Sequence, residues 1–400
     1  MIAPDRALAL IAERVRPLRA ERVPLAKAAG RVLAEDVRAA QDLPPFDNSA
    51  MDGYAVRLLD CDAEALPILS VIETLRAGAG GRPKVGPGQA IRIMTGAPLP
   101  EGADTVIPKE AAEERNGTVK LLRRPASGAH IRRRGEDVRA GARLLQAGAK
   151  LRPYEIALLA AQGEESVPVI RRPRVSVLAT GNELAAGAAG GSFGRIRDSN
   201  GPALCAAVAR WGATPAPQGV AADEPAMLKV ALRQALRDAD ALLVSGGVSV
   251  GDFDFTKSAL DELGIELVFW RVAIKPGRPL LFGLLEGKPV FGLPGNPVAA
   301  LVCAEEFVRP ALERLQGHSP RHRSYHLIGT ALNDYPSPED RLQYLFCRAR
   351  RGDAGHELQI LRPQGSAMLG MASSADALAV SPLGRGRIRA GDQLAFRWLK

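Results

Sequence analysis

Residues 239–257 read ADALLVSGGVSVGDFDFTK and contain one complete structural unit. The apolar run ADALLVS is typical of a buried strand, and a helix is predicted to begin near Thr256. Between them lie Gly246, Gly247 and Gly251, at positions where the backbone must turn tightly. A strand that leads through a glycine-bearing loop into a helix is the basic unit of an α/β domain.

The same alternation extends on both sides of this unit, from about Val175 to Gln316. The runs RVSVLA, LVFWRVAI and KPVFGL have the composition of strands, whereas PALCAAVARWG, PAMLKVALRQALRDA, TKSALDELG and PVAALVCAEEFVRPALERLQG have the pattern of helices. Strands that alternate with helices imply a parallel sheet with helices on both faces. We therefore predict that residues 173–317 form a central, doubly wound, mainly parallel α/β domain.

The remaining chain has different patterns. Residues 1–30 and LRPYEIALLAAQG read as helical, whereas short β-like runs between Gly- and Pro-rich turns fill residues 31–145. Further β-like runs follow the polar linker GHSPRHRSYH and predict a C-terminal barrel or sandwich. The predicted division is a helical linking domain of residues 1–30 plus 146–172, a β-rich domain of 31–145, the central domain, and a C-terminal β domain of 326–400.

The composition narrows the class of protein. A chain of 400 residues is too long for one core, and a hydrophobic content of 46% excludes a mainly disordered chain. There is no run of about 18 apolar residues, and Asp5 and Glu13 in the first predicted helix are not typical of a signal peptide. The four cysteines form no C-x-x-C pair, so neither a zinc ribbon nor a redox pair is encoded. We expect a cytoplasmic protein that has no membrane segment.

The formal net charge of +9 leaves two equal alternatives, an ordinary basic surface and a site for a small anion. Nucleic acid is disfavoured, because the aromatic residues that stack on bases make up only 4% of the chain. His318, His322 and His326 are spaced four apart, as on a metal-binding helix, but Pro320 interrupts any helix there. A zinc site at these histidines is therefore disfavoured.

Three polar loops follow predicted strands of the central domain, at residues 180–183, 245–257 and 294–297. Ligands of open α/β sheets bind beyond the carboxyl ends of the strands. The glycines of these loops allow backbone N–H groups to approach phosphate oxygens, although a plain tight turn is an equal alternative. We call the edge formed by these three loops the rim.

The rim is predicted to be rich in carboxylates. Asp252 and Asp254 directly follow the glycine loop, where two carboxylates can hold a hydrated magnesium ion, although Asp254 could instead cap the next helix. Glu183, Asp198 and Asp223 are also expected near strand ends. Carboxylates beside anion-binding backbone suit a metal-bridged phosphate compound better than a bare anion.

Helix starts and a basic turn are further candidates for anion binding. Asn296 is a natural N-cap before Pro297, so that helix end either binds an anion or is simply well capped. Asn200 in IRDSNGPAL is a candidate N-cap by the same logic. The segment FWRVAIKPGRP, whose residues 271–278 we call the basic turn, either holds an oxyanion or is solvated.

In the N-terminal half, PPFDNSAMDGYAV, IMTGAPLPEGADTVI and RRRGEDVRAG read individually as structural turns.

Eight strings follow one another between residue 44 and about residue 302. In order, they are DNSAMDGYAV, IMTGAPLPEGADTVI, RRRGEDV, LATGNEL, IRDSNGPAL, SGGVSVGDFDFTK, AIKPGRPLLFG and LPGNPVAAL. Together they resemble the molybdopterin molybdenumtransferase family, also called MoeA, and the homologous E domain of gephyrin. The combination is far more specific than any single string. The C-terminal region matches weakly, mainly at QGSAML.

The resemblance implies an elongated, four-domain homodimer whose central domain is similar to molybdopterin adenylyltransferase. The implied activity is the insertion of molybdate into adenylylated molybdopterin, with Mg²⁺ or a similar divalent ion, and the release of AMP. The site would be composite, with Asp52 from one chain and Asp254 from the other. Candidate partners are molybdopterin adenylyltransferase and molybdoenzyme-maturation proteins, and neither nucleic acid nor a membrane is expected.

The residues expected to act can be given by number. The catalytic residues are Asp52, Asp223 and Asp254, and the metal ligands are Asp252 and Asp254. The substrate-binding residues are Thr95, Asp137, Glu183, Asp198, Ser245, Gly246, Gly247, Gly251, Arg271, Lys275, Arg278, Pro294, Gly295, Asn296, Pro297 and Ser366. Two features depart from the family pattern: the loop reads GDFDF where many relatives have tyrosine after an acid, and Arg271 and Arg278 stand where lysine is frequent.

Two other functions remain as alternatives. An enzyme that makes the adenylylated pterin would have a similar central domain, but the additional domains and the string DNSAMDGYAV argue against it. A non-enzymatic scaffold or peptide-binding protein of the gephyrin type is also compatible with the fold. The acidic rim favours catalysis.

Overall fold

The structure is a computed structural model and describes residues 1–61, 66–78, 80–185, 193–248, 255–319, 325–353 and 355–399. Within these residues, six strands form the central sheet in the order Thr214–Ala221, Arg174–Thr180, Ala241–Ser245, Lys288–Leu293, Leu281–Leu285, Glu266–Trp270. The first four are parallel, and the last two add an antiparallel edge. The predicted mainly parallel sheet is confirmed.

Helices cover both faces of this sheet, because successive strand residues point to opposite sides. Leu242 and Val244 pack into one apolar core, whereas Ala241 and Leu243 pack into another. The helices of the first face are Pro225–Arg237 and Phe255–Glu262. The second face is covered by Pro4–Arg14, Asn200–Arg210, Pro297–Cys303, the π-helical segment Ala304–Val308, and Arg309–Leu315.

The helix predicted within residues 1–30 ends at Arg14. The following strand Ala20–Pro24 pairs antiparallel with Ser166–Ile170, and the helix Pro153–Ala161 packs beside this pair. Residues 1–30 and 146–172 therefore contain sheet as well as helix.

The β-like runs of residues 31–145 form a curled sheet with a core on each side. Its strands follow the order Thr105–Pro108, Gly53–Val56, Gln89–Ile93, Ile68–Leu75, Thr118–Leu121, Ala112–Arg115. Two short pairs extend the domain, Asn48–Ser49 with Ile131–Arg132 and Val37–Arg38 with Arg143–Leu145. The first pair brings the string DNSAMDGYAV next to RRRGEDV.

The C-terminal region forms the predicted barrel. Its sheet follows the order Leu342–Gly352, Gly355–Ile360, Leu327–Ala331, Gln393–Trp398, Ala377–Ser381, and the last strand pairs again with the first. The short strand Ile274–Lys275 of the basic turn adds in parallel to the start of Leu342–Gly352. The remaining elements are the helix Leu369–Ser374 and the pair Tyr335–Pro336 with Arg387–Ile388. The barrel is thus joined to the central domain through the basic turn.

The strand predicted from LVFWRVAI is interrupted. It ends at Trp270, because Arg271 adopts a left-handed φ of 72° and turns the chain towards the barrel. None of the helices in the described residues is long and apolar enough to cross a membrane.

Candidate active site

The described parts of the three rim loops surround one cavity of about 600 Å³. The strands that lead into them are parallel neighbours, so their carboxyl ends lie at one edge of the sheet. Residues expected to bind substrate or to act in catalysis line this cavity: Glu183, Asp198, Asp223, Ser245, Gly246, Gly247, Pro294, Gly295, Asn296 and Pro297. Residues that are over 100 positions apart in the sequence therefore line one cavity, as the sequence pattern predicted.

The glycine loop is packed closely against its neighbours. Gly246 has a φ of 107°, and a Cβ there would collide with the carbonyl oxygen of Thr180. Gly247 has a φ of 62°, and a Cβ there would collide with the hydroxyl group of Thr256. Both positions need glycine for conformation and for space.

Asn200 connects two of the rim loops. Its amide nitrogen donates to the Ser245 hydroxyl at 2.7 Å and to the Gly295 carbonyl at 2.8 Å. It is not the N-cap that the sequence indicated. The helix begins at Asn200, and Asp198 Oδ1 accepts the N–H groups of Asn200 at 3.0 Å and Gly201 at 2.9 Å, so Asp198 performs the capping.

The rim carboxylates differ in how far they are engaged. Asp223 accepts hydrogen bonds from the Thr180 hydroxyl and, at 3.2 Å, from the Asn182 N–H, so it fixes the loop after the first strand. The exposed Glu183 carboxylate makes no hydrogen bond or ion pair within the described residues. Glu183 is therefore the more available of the two for a ligand.

The predicted metal ligands Asp252 and Asp254, and also Gly251, lie outside the described residues. Within the described ranges, no group of three His, Cys, Asp or Glu side chains is arranged to hold a metal ion. The described rim acids alone thus do not form a complete metal site, and a magnesium site would depend on the two loop acids.

A second cavity, of about 350 Å³, adjoins the first and shares Pro279, Pro294 and Asn296 with it. It is lined by Lys275 and Arg278 of the basic turn, by Arg341 of the barrel, and by Ser366. None of the described residues that line it is a carboxylate. We call it the basic cavity and the first one the rim cavity. The charge of the basic cavity suits an oxyanion.

Arg271 lies apart from the other cations of the basic turn. Its guanidinium group stacks on the Trp270 ring at 4.0 Å, and it lines neither cavity. Arg271 also has a left-handed backbone, with a φ of 72°. Lys275 and Arg278 are the members of the turn that face the basic cavity.

The helix that begins at Pro297 is capped by the chain itself. The N–H groups of Val298 and Ala299 donate to the Ser366 carbonyl at 2.9 and 3.2 Å, and the Asn296 side chain makes no capping bond. The N–H groups at the start of that helix, which have no acceptor within the helix, are therefore already hydrogen-bonded. This favours the capped-helix alternative over an anion site at the helix end.

The expected residues of the N-terminal half form a separate group. Asp52 accepts two hydrogen bonds from Thr95, from its N–H at 2.8 Å and from its hydroxyl at 2.7 Å. These bonds lower the pKa of Asp52 below its ordinary value. Asp137 is exposed in the same domain. Neither cavity, as far as the chain is described, is lined by Asp52, Thr95 or Asp137 of the same chain.

Relatives match nearly the whole chain. The molybdopterin molybdenumtransferase of Haemophilus influenzae is 36% identical over 382 residues, which cover 95% of this chain and 94% of the relative. The chain belongs to the MoeA family. Molybdopterin molybdenumtransferase 2 of Mycobacterium tuberculosis is 38% identical and covers 96% of each chain. Both alignments therefore cover nearly the full length of this MoeA chain and of the relative.

Three family descriptions match MoeA segments in order. They are the MoeA N-terminal region (domains I and II) at residues 2–163, the "Probable molybdopterin binding domain" at 176–314, and the MoeA C-terminal region (domain IV) at 329–397. The solved structure of the molybdopterin biosynthesis moeA protein from Pyrococcus horikoshii aligns with a TM-score of 0.84 at 30% identity, over 99% of both chains. The MoeA architecture therefore extends along the whole chain.

Three residues that line or connect the two cavities were not predicted from the sequence. Arg341 and Gln343 line the basic cavity from the barrel, and Asn200 connects the rim loops. The string RLQYLFCRAR marked a strand, but no local signal shows which cavity that strand faces. Asn200 was singled out only as a cap, because its bonds to Ser245 and Gly295 join residues that are distant in sequence.

Proposed function

We propose that this protein inserts molybdate into adenylylated molybdopterin and releases AMP. The observation that carries the proposal is the junction of the two cavities, which share Pro279, Pro294 and Asn296 but differ in charge. The substrate contains phosphate groups and reacts with an oxyanion. It therefore needs one site for its phosphate groups and a second, adjoining site for the oxyanion. Membership of the MoeA family supports the same reaction.

The rim cavity is proposed to take the pterin and its adenylylated phosphate. Gly246 and Gly247 let the backbone approach the phosphate groups closely, and Asp223 holds the first loop in place. The basic cavity is proposed to hold molybdate through Lys275 and Arg278, next to the dithiolene sulfurs. The bond that breaks is the phosphoanhydride bond between the adenylate and the pterin phosphate. An oxygen of water bonds to one of the two phosphorus atoms as that bond breaks, so the pterin keeps its phosphate and AMP leaves.

A divalent ion, Mg²⁺ or a similar one, is proposed to bind at Asp252 and Asp254, with Glu183 as the available rim carboxylate. When bound, the ion would neutralise phosphate charge and polarise the scissile phosphoryl group. Turnover should then require the ion, and excess chelator should stop AMP release. Full activity in chelator would remove the metal from the reaction.

A homodimer with composite sites is proposed as the working form. In support, Asp52 and Thr95 line neither cavity of their own chain within the described ranges, so a partner's β-rich domain over the rim would bring them to the substrate. Asp52→Ala and Asp254→Ala should each be nearly inactive. After both variants are unfolded and refolded together, about half of the dimers are mixed, and about a quarter of wild-type activity should return. If heterodimers are shown to form but no activity returns, both acids of a site belong to the same chain.

The cytoplasm is the proposed location, and molybdopterin adenylyltransferase and molybdoenzyme-maturation proteins are proposed partners. Cys205, Cys303 and Cys347 are free thiols, and Cys303 and Cys347 are buried, which suits a reducing compartment.

The direct test adds molybdate and Mg²⁺ to the protein with adenylylated molybdopterin and measures AMP. We expect AMP release that depends on molybdate. A parallel reaction with ATP and metal-free molybdopterin separates the alternative, because an adenylyltransferase would consume ATP there. Formation of adenylylated pterin in that reaction, without molybdate-dependent AMP release in the first, would reject the proposed function.

A further inference from the structure

A third cavity, of about 770 Å³, lies at the opposite edge of the central sheet from the rim. The helix Asn200–Arg210 connects the two edges, because Asn200 lines the rim cavity and Arg210 lines the third one. An α-helix rises about 1.5 Å per residue, so the ends of this helix of 11 residues are about 15 Å apart. We call the third cavity the amino-edge cavity. Among the described residues, it shares no lining residue with the rim cavity or the basic cavity.

Three domains meet at the amino-edge cavity. Lys150 and Arg172 belong to the linking domain, Arg210 and Trp211 to the central domain, and Trp398 to the barrel. The volume lies within the range of cavities that hold small organic molecules, and it is more than an inorganic ion needs. A ligand that fills this cavity would therefore contact all three domains.

Cationic side chains outnumber carboxylates in the wall of this cavity. Glu313 is the carboxylate among the described residues that line it, and the cations are Lys150, Arg172, Arg210, Arg309 and Arg397. Arg309 pairs with Glu313 at 2.7 Å and with Glu305 at 3.6 Å. Arg397 pairs with Glu306 at 2.8 Å. The charges of these two arginines are therefore compensated.

The other three cations, Lys150, Arg172 and Arg210, have no carboxylate partner within the described residues. Against them, the three glutamates leave one negative charge over. The C-terminal ends of the helices Asn200–Arg210 and Arg309–Leu315 add roughly half a negative charge each. Three free cations exceed about two opposing charges, so the cavity is positive and suits an anion.

Two buried donors in the same wall have no acceptor. Trp211 is 7% exposed, and its indole Nε1 is buried without a hydrogen bond in the described part of the chain. The Nε of Arg397 is buried without a partner as well. Both atoms carry an N–H group and can only donate. Buried indole N–H groups usually find an acceptor, and the oxygens of an anionic ligand would supply acceptors here.

Gln316 lines the same cavity and gives an internal comparison. Its Nε2 donates to the carbonyl groups of Trp211 and Leu312 at 3.0 Å each. The Gln316 amide thus holds the backbone at the end of one helix against the other. The Trp211 indole N–H has no such structural partner.

Trp398 adds a flat apolar surface to the wall. The residue is 40% exposed, and its two ring neighbours meet it at steep angles, Phe396 at 78° and His356 at 71°. Neither ring is therefore stacked on the indole. Indole faces and guanidinium planes both stack on aromatic rings. The cavity thus offers a surface for a ring beside its cations.

We propose that the amino-edge cavity is a second ligand site, for a phosphate monoester of an aromatic ring compound about the size of a nucleoside monophosphate. Its phosphate oxygens accept hydrogen bonds from the free cations, and its ring lies against Trp398. Arginine is well suited to this role, because its planar fork matches phosphate. The bound ligand holds the barrel, which carries one wall of the basic cavity, against the central and linking domains. The proposal does not depend on the proposed function.

The test uses tryptophan fluorescence. The chain has three tryptophans, and Trp211 and Trp398 line this cavity. Trp270 donates to the carbonyl of Val248, which lines the rim cavity, so Trp270→Phe removes the signal that a ligand at the rim would change. Titration of this full-length variant with AMP should change the emission in a saturable way.

Two further probes divide AMP into its parts. Ribose 5-phosphate keeps the phosphate and lacks the ring, whereas adenosine keeps the ring and lacks the phosphate. Each should bind at least about tenfold more weakly than AMP, because each loses one of the two kinds of contact. Adenosine that binds as tightly as AMP would overturn the assignment of a phosphate site.

Arg172→Ala, made in the Trp270→Phe variant, should raise the Kd for AMP about tenfold, the loss of one charge-assisted interaction. The matched control is Arg174→Ala. Arg174 is also exposed and without an ion pair in the described residues, but it does not line the cavity. The control should leave the Kd unchanged. Equal Kd values in the two variants, or no change of emission with AMP, would overturn the proposal.

Calorimetry on the protein with all three tryptophans counts the AMP sites and separates this proposal from the proposed function. Two sites in each chain, one of which is weakened by Arg172→Ala, would support both. A single site that Arg172→Ala weakens would support the amino-edge site and speak against AMP binding at the rim. A single site that is equally strong in Arg172→Ala would place AMP at the rim and reject the amino-edge site.

Discussion

The two adjoining cavities are built in different ways. The rim cavity has walls of loop backbone, and several of its polar side chains bind other loops: Asn200 binds Ser245 and Gly295, and Asp223 binds Thr180. In the basic cavity, Lys275 and the Gln343 amide project from strands and have no protein partner in the described ranges. Side chains that form hydrogen bonds with other loops make the shape of a cavity rigid. Side chains that have no partner in the protein are available to a ligand. The difference separates side chains that fix the shape of a cavity from side chains that are available to bind a ligand.

The largest expected effect tests the acids of the rim. Asp254→Asn should reduce AMP release by more than about 100-fold, because the neutral amide is a poor ligand for a divalent ion. The fold should be intact, as judged by circular dichroism and melting temperature. The control Asp238→Asn neutralises an exposed acid at a helix end and should leave turnover unchanged. Near-normal turnover of Asp254→Asn with Mg²⁺ would contradict the metal assignment.

The next effect tests whether the rim is a rigid shape. Gly246→Ala should lower the free energy of unfolding by roughly 3 kcal/mol, since it combines a φ of 107° with a collision against Thr180. Urea denaturation measures the change. Gly80→Ala is the matched control, because a Cβ at Gly80 meets no atom within 4 Å. Equal stability of the two variants would mean that the loop tolerates a side chain.

The third prediction separates two arginines of the basic turn. Arg278→Ala should raise the KM for molybdate about 10- to 100-fold, the loss of one charge-assisted interaction, with a smaller effect on kcat. Arg271→Ala removes the same group from the face of Trp270, outside both cavities, and should leave that KM unchanged. The same increase in both variants would show that overall charge, rather than position, attracts the anion.

The smallest effect concerns the pair Asp52 and Thr95 in the β-rich domain. Thr95→Val removes the hydroxyl bond but keeps the N–H bond, so the pKa of Asp52 should rise part of the way towards its ordinary value of 3.8. Because the folded pKa is lowered, this pair stabilises the fold above the ordinary pKa, and the contribution is lost as the pH falls through the folded value. NMR titration of the carboxyl group measures the shift. No change would show that the hydroxyl bond is absent in solution.

Much of the fold could be predicted because its signals are local. Alternating apolar runs predicted the strands Arg174–Thr180 and Ala241–Ser245, and both lie in the parallel part of the sheet. The edge strand Thr214–Ala221 was missed, since it contains Pro215 and Pro217, which are typical of turns and are tolerated at a sheet edge. The break at Arg271 was also missed, because a left-handed arginine has no sequence signature.

The candidate site also has one part that could be predicted from the sequence and one part that could not. The rim loops could be predicted, because each follows its own strand and a shared sheet edge unites them. The barrel wall of the basic cavity could not be predicted, since Arg341 and Gln343 reach Lys275 only through a pairing of strands that are more than 60 residues apart. Local pattern identifies the strand, and only the tertiary pairing decides what the strand faces.

The pairing of Ile274–Lys275 with the barrel limits how the protein can be divided. The basic turn and the barrel each contribute residues to the lining of the basic cavity, so a fragment that ends at this junction would carry only part of that lining. A barrel fragment would also expose the Leu342 N–H, which now donates to the Ala273 carbonyl.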